Sequence, residues 1–80
     1  MRLIHAHSVK VFERRDGKAR LCIFARDDGL FEFRGEVEQD EDGDVYWETT
    51  EMSGLYDTAE HAERDAIVSV PWLRAIMRPE

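Results

Sequence analysis

Apolar and polar residues alternate along most of the first fifty positions, in runs rich in Val, Ile, Phe, Tyr and Trp. Three Asp-Gly pairs separate these runs: Asp16-Gly17, Asp28-Gly29 and Asp42-Gly43. Asp-Gly between β-rich runs is a strong hairpin signal. Three hairpins in series predict a four-stranded antiparallel meander, with strands at about 8–14, 19–26, 30–38 and 44–50.

The length of each loop decides which side chains share a face, because a shift of one residue moves a whole strand's side chains to the other face. Two-residue loops would place Arg26 opposite Phe31 and Arg20 opposite Val37, mixing charge into the apolar face. Three-residue loops ending in glycine separate the two classes better, and we predict them in all three hairpins. The misfit of this register is Glu13, which falls on the apolar face.

This register predicts a sheet with two chemically distinct faces. The apolar face carries Val9, Val11, Leu21, Ile23, Ala25, Phe31, Phe33, Gly35, Val37, Val45 and Trp47. The charged face carries Lys10, Arg14, Arg20, Arg26, Glu32, Arg34, Glu36, Glu38 and Glu48, together with Phe12, Phe24, Leu30 and Tyr46. Cross-strand ion pairs account for much of the charge, and Cys22 is predicted between Lys10 and Arg34.

A helical pattern follows the fourth strand, over residues 57–70. Asp57 is predicted to cap the first turn, with Glu60 completing a capping box. The stripe that would face the sheet consists of Ala59, Ala62, Ala66 and Val70. These small side chains allow a close approach of the helix, and Gly35 is predicted to leave room for it.

Pro71 ends or kinks this helix, because it lacks an amide hydrogen and clashes with the preceding turn. Trp72, Leu73, Ile76 and Met77 then recur at helical spacing and predict a short second helical segment that covers a sheet edge or a partner. The chain is thus predicted to be a single α+β domain over residues 1–80, a four-stranded meander with one helix on its apolar face.

The formal charge of −7 is unevenly distributed. The first 35 residues hold 8 Lys and Arg against 5 Asp and Glu, whereas the remaining 45 hold 3 against 13. An acidic chain is repelled by phosphate, which argues against nucleic acid as the default partner, although the basic first half keeps that alternative open. The 80 residues support only a small core, so a second copy of the chain would add stability.

Cys22 is the single cysteine, and this favours a reducing, cytoplasmic location. The first residues contain no apolar segment of a signal peptide, and no run approaches the length of a membrane span. We therefore expect a soluble domain.

Candidate chemistry is sparse. His5 and His7 share a face if their segment is extended, and with His61 they are the candidates for a metal site or a small enzyme. The stretch 38–43 resembles the start of a calcium loop, but Thr49 stands where a bidentate Glu is required. No nucleophile–base motif or phosphate loop is present, so we expect no catalysis, no cofactor and no metal.

The segment Gly54–Arg64 is similar to the strand-to-helix junction of ethylene-response-factor type DNA-binding domains, and Phe33-Arg34-Gly35 resembles the start of that family's first strand. The resemblance implies a three-stranded antiparallel sheet packed on one helix, with sheet Arg and Trp reading the major groove. Acidic residues, namely Glu36, Glu38, Glu48 and Glu51, stand where the family has basic groups, so only the sheet-plus-helix geometry carries over. The whole chain also resembles small bacterial proteins built from a meander and a helix.

The sequence thus favours a non-catalytic protein-interaction or homodimerisation module, with a nucleic-acid-binding domain as the alternative. The candidate interaction residues are Lys10, Phe12, Arg14, Arg20, Phe24, Arg26, Arg34, Tyr46, Trp72, Leu73, Ile76 and Met77. The expected partner is a second copy or another protein, not a membrane.

Overall fold

The structure, a computed structural model, describes residues 5–77. Four strands are followed by two helices: β1 (Ala6–Glu13), β2 (Ala19–Arg26), β3 (Phe31–Glu41), β4 (Asp44–Met52), α1 (Ala59–Ser69) and α2 (Pro71–Met77). The strands form one sheet in the order β1-β2-β3-β4, and each neighbouring pair is antiparallel. The predicted α+β meander is confirmed.

The central hairpin has the predicted three-residue loop. The amide of Arg26 donates to the carbonyl of Leu30 at 2.9 Å, and Gly29 takes the left-handed conformation at φ 83°. The pairing of Arg20 with Glu36 and of Phe24 with Glu32 is confirmed. The charged side chains of β2 and β3 therefore lie on one face and Leu21, Ile23, Phe31 and Phe33 on the other.

The first hairpin has a four-residue loop instead, and the predicted register of β1 was wrong. The amide of Arg14 donates to the carbonyl of Ala19 at 2.8 Å, and Phe12 pairs with Leu21. Phe12 therefore lies on the apolar face, while Val11, opposite Cys22, lies on the charged one. The longer loop also removes the misfit of Glu13, which now pairs with Arg20.

The third hairpin turns in two residues, Asp42 at φ 51° and Gly43 at φ 86°. Positive φ at both positions is the type I′ geometry that matches the twist of the strands. Glu38 now pairs with Trp47, so Trp47 lies on the charged face, contrary to prediction. Val45, predicted on the apolar face, also lies on the charged face, whereas Glu48, predicted on the charged face, lies on the apolar one.

Both edge strands contain a bulge. The register of β1 shifts between Ser8 and Lys10, which leaves Val9 as the extra residue. In β4 the pairing moves from Glu36–Thr49 to Gly35–Glu51 across the shift, which leaves Thr50 unpaired. A bulge inserts one residue, bends the strand and interrupts the ladder.

The core lies between the sheet and the helices. Its buried side chains are Leu21, Ile23, Phe33, Ala62, Ala66, Val70 and Leu73. The alanine stripe of α1 is confirmed, with Ala62 and Ala66 fully buried. A Cβ at Gly35 would first meet Glu51 and Thr50 of β4, so that strand bounds the space beside the glycine most closely.

The ends of α1 differ from the prediction by one or two residues. Thr58 is the N-cap, and its hydroxyl accepts from the amide of His61 at 3.0 Å, so Asp57 does not cap the helix. Asp and Thr are both good N-cap residues, and the position at which the helical backbone begins decides which of two neighbours caps the helix. Pro71 begins α2, where its missing amide hydrogen costs nothing. Within the described part of the chain, neither helix is long and apolar enough to cross a membrane.

Candidate functional site

The side of the sheet opposite the helices is the surface that we call the outer face. Within residues 5–77 its strand side chains are Ala6, Ser8, Val11, Glu13, Arg20, Cys22, Phe24, Arg26, Glu32, Arg34, Glu36, Glu38, Asp40, Val45, Trp47, Thr49 and Met52. All members of the hydrophobic core lie on the other side or on the helices. No described helix covers the outer face, so its polar side chains must find their partners within the face or in solvent.

One cluster on this face is centred on Arg20. Its Nε donates to Glu36 Oε1 at 2.6 Å, and its guanidinium carbon lies 4.0 Å from the centroid of the Trp47 ring. The carboxylate and the ring hold the guanidinium from two sides, because an aromatic face attracts a cation. The charge of Arg20 is thus largely neutralised within the chain.

A second cluster is centred on Arg34. Its Nη2 donates to Glu32 Oε1 at 3.0 Å, and its guanidinium carbon lies 4.5 Å from the centroid of the Phe24 ring. Glu32 is only 5% exposed, although no helix covers it. Buried carboxylates are rare unless they are paired, and here Arg34 and Phe24 provide the pairing and the cover.

Cys22 lies between the two clusters and is also buried. Its Sγ is 3.7 Å from Glu36 Oε1. Burial raises the pKa of the Cys22 thiol, and the charge of Glu36 raises it further. A thiol held in its protonated form is a poor nucleophile, so the surroundings of Cys22 disfavour a nucleophilic role.

Large apolar side chains on the outer face remain open to solvent. The exposed fractions are 47% for Val11, 58% for Val45, 37% for Trp47 and 65% for Met52. Val11 and Met52 lie at the two ends of one row, Val11–Cys22–Arg34–Met52, that crosses all four strands. Exposed apolar groups rimmed by charge are typical of interaction surfaces.

The residues predicted as one interaction surface are divided between the two sides of the sheet. Arg20, Phe24, Arg26 and Arg34 lie on the outer face, as predicted. Lys10, Phe12 and Arg14 lie on the helix side, because the first loop has four residues. Lys10 forms an ion pair with Glu63 of α1, and Tyr46 lies opposite Gln39 on the helix side of β4.

Arg26 and Arg14 are each held by a nearby loop carboxylate. Arg26 Nη2 lies 2.7 Å from Asp28 Oδ2, and Arg14 Nη2 lies 2.9 Å from Asp16 Oδ2. The hydrogen bond from each arginine lowers the pKa of its aspartate. Neither arginine is therefore an isolated positive charge.

The C-terminal residues also separate. Leu73 is fully buried in the core, and Trp72 packs against it, so these two belong to the fold. Ile76 and Met77 remain 38% and 43% exposed. The helix α2, which was predicted to cover a sheet edge or a partner, packs on α1.

Metal-binding and catalytic candidates are not brought together. His5, His7 and His61 are all exposed. Residues 5–77 contain no group of three or more His, Cys, Asp or Glu side chains that could hold a metal ion. The stretch 38–43 forms the end of β3 and the turn, and Thr49 lies within β4, so the predicted calcium-like sequence is a hairpin.

Open cavities of about 250 and 270 Å³ flank the helices in the described part of the chain. The first lies between β1 and α1, beside the Lys10–Glu63 ion pair. The second lies between the first loop and α2, where Arg15 and Trp72 contribute to the lining. Both are below the roughly 300 Å³ at which ligand pockets begin.

Sequence reasoning missed the apolar part of the outer face, namely Val11, Val45, Trp47 and Met52. The misfit of Glu13 was a usable signal, because a four-residue first loop puts it beside Arg20 and moves Val11 outward. For Trp47 no comparable signal exists, since either face accepts a large aromatic residue.

Comparison with known proteins finds no matching family model, no matching curated protein and no matching solved structure. The stretch Phe33-Arg34-Gly35, which resembles the start of a first strand in DNA-binding domains, lies inside β3 of a four-stranded sheet. The arguments for function therefore rest on the outer face itself.

Proposed function

We propose that this chain is a non-catalytic protein-interaction module and that the outer face is its binding surface. The observation that carries the proposal is the combination of exposed Val11, Trp47 and Met52 with two arginines, Arg20 and Arg34, whose charges are already paired. A partner that covers this face gains apolar contact without having to supply carboxylates for these two guanidiniums. The single buried cysteine supports a reducing compartment, the cytoplasm, as the place of action.

The alternative, a nucleic-acid-binding domain, has weaker support. Phosphate binding draws on free Lys and Arg side chains, and the guanidiniums of Arg20 and Arg34 are engaged by Glu36 and Glu32. Binding to DNA or RNA would require these pairs to open against a chain charge of −7. Fluorescence anisotropy with generic DNA and RNA at about 50 mM salt checks this, because phosphate contacts are strongest at low salt.

Two variants test the interaction surface, and each replaces one exposed apolar side chain with glutamate. Met52→Glu places a carboxylate on the outer face at a residue that is 65% exposed, and Val68→Glu does the same on α1 at a residue that is 63% exposed. Tagged wild-type chain and the two variants serve as bait in cells that also express an untagged copy. Circular dichroism confirms that each is folded.

We expect wild type and Val68→Glu to retain the same protein, whether the untagged copy or a foreign one, and Met52→Glu to lose it. A partner that all three baits retain equally would contradict the outer face as the binding surface. A partner lost by Val68→Glu alone would place the interaction on the helices.

A further inference from the structure

From the outer face we infer that its partner is a second copy of this chain, bound face to face about a two-fold axis that runs along the strands between β2 and β3. The inference rests on the proposed function and gives the partner and its orientation.

Both edges of the sheet are poorly suited to pairing with another strand. A bulge interrupts β1 at Val9 and β4 at Thr50, and the side chains of β4 include the acidic Asp44, Glu48 and Glu51. Bulges and charges are the devices that keep edge strands from joining each other. A second copy therefore has no regular edge to extend, and the open face is the remaining large surface of the sheet.

The charges of the outer face match a second copy better than a strongly charged partner. Its strands present three guanidiniums, those of Arg20, Arg26 and Arg34. They also present five carboxylates, those of Glu13, Glu32, Glu36, Glu38 and Asp40. Three positive and five negative groups leave a net charge of −2 on this face, compared with −7 for the whole chain. A surface of low net charge that carries both signs can be complementary to itself, as an isologous interface requires.

The size of the face is adequate. Four strands about 4.8 Å apart and about eight residues long, at roughly 3.3 Å per residue, span about 500 Å² in projection. Two such faces together reach the roughly 1,000 Å² that separates specific interfaces from weak contacts.

The pairing register selects the direction of the two-fold axis. A two-fold axis along the strands, between β2 and β3, places each cross-strand row of one copy over the same row of the other copy, in reverse order. Arg20 then lies over Glu36 of the second copy, and Val11 lies over its Met52, because the two members of each pair are equally far from the axis. This arrangement is the aligned packing of a β-sandwich.

An axis at right angles to the strands, through the row Val11–Cys22–Arg34–Met52, gives a different result. It exchanges the rows on either side, so that Glu36 of each copy lies over Glu32 of the other. Opposed carboxylates are unfavourable. The charge pattern therefore favours the axis along the strands.

Engineered cysteines test the arrangement directly. Packed sheets lie about 10 Å apart, which is beyond the roughly 7 Å between Cα atoms that a disulfide can bridge. A Val11→Cys chain mixed with a Met52→Cys chain, both on a Cys22→Ala background, should therefore give a cross-linked pair with a bifunctional thiol reagent that spans about 10 Å. Each chain carries one cysteine, so every cross-link joins two chains. Either chain alone should give little, and Val68→Cys mixed with either should give none.

Sedimentation equilibrium of the wild-type chain over micromolar concentrations provides the second measurement. We expect a mass that rises toward twice 9.4 kDa and that Met52→Glu returns to the monomer value. A monomer at every concentration would overturn the second copy as partner but not the interaction module, which the bait experiment judges separately. A dimer that cross-links through Val11→Cys alone would overturn the inferred axis.

Discussion

On the helix side of the sheet, Leu21 and Ile23 are buried beneath the alanines of α1, whereas on the outer face Cys22 and Glu32 are nearly as buried with no helix above them. The first side is covered by another layer of the fold. The second is covered by its own long side chains, because Arg34 lies over the Phe24 ring and Arg20 over the Trp47 ring. The comparison teaches that burial within one sheet can arise from packed layers or from paired charges, and only the second leaves a surface free for a partner.

The largest expected effect comes from the layered side. Leu21→Ala removes a fully buried side chain from the core, and we expect a loss of about 2–5 kcal/mol in the free energy of unfolding. Val45→Ala, at a residue that is 58% exposed on the outer face, is the matched control and should change it by less than about 0.5 kcal/mol. Urea denaturation measures both. Similar losses for the two variants would mean that the outer face is packed as tightly as the core.

A smaller effect is expected when one member of the Glu32–Arg34 pair is removed. Glu32→Gln leaves Arg34 without its charged acceptor, and we expect a loss of roughly 1–2 kcal/mol. The double variant Glu32→Met with Arg34→Met removes both charges, and its loss should be smaller than that of Glu32→Gln. Thermal denaturation measures both variants. If the double variant is the less stable of the two, the attraction between Glu32 and Arg34 outweighs the cost of burying their charges, which would contradict this expectation.

The thiol of Cys22 reports on the same surface. Because burial and the charge of Glu36 raise its pKa, the folded protein should react with a thiol reagent at pH 8 several times more slowly than free cysteine. The thiol of the unfolded chain has the lower pKa, so it loses its proton at a lower pH than the thiol of the folded chain. The free energy of unfolding should therefore fall as the pH rises above the ordinary thiol value of about 9.0. Glu36→Gln should lower the pKa of Cys22, which a spectroscopic titration of the thiolate measures. An unchanged titration would mean that burial raises the pKa of Cys22 without a contribution from the charge of Glu36.

The smallest effect is expected at Gly35. A Cβ placed there lies 3.4 Å from Glu51 Cβ, an ordinary contact, and the position does not need positive φ. Gly35→Ala should therefore raise the free energy of unfolding by about 0.4–1 kcal/mol, because it restricts the unfolded chain. A marked loss of stability would mean that the side chain of Glu51 cannot make room for the added methyl group.

The fold class and the central hairpin could be predicted from the sequence because their signals are local. Asp28-Gly29 between two β-rich runs, with opposite charges at Arg20 and Glu36, specifies both a loop and its register. The alanine stripe of α1 was equally clear, since its spacing has a single interpretation. These signals depend on residues near each other in the chain or in direct pairing.

The candidate site was harder to predict because it depends on loop lengths that differ among hairpins. One loop length was applied to all three, and the first and third hairpins use four and two residues instead. Each error of one residue exchanged the faces of an edge strand, which moved Lys10 to the helices and Trp47 to the outer face. The bulges added a second change of register that the sequence does not mark with a glycine or a proline.

Those bulges have a consequence for how the chain tolerates insertions and deletions. His7 and Lys10 both face the helix side, with Ser8 facing outward between them, so loss of Val9 would leave a strand with regular alternation. The same holds for Thr50, because Glu48 and Glu51 share one face and Thr49 and Met52 the other. A deletion at either position thus preserves the core while producing a straight edge, and its damage would appear as fibres or insoluble protein instead of as an unfolded chain.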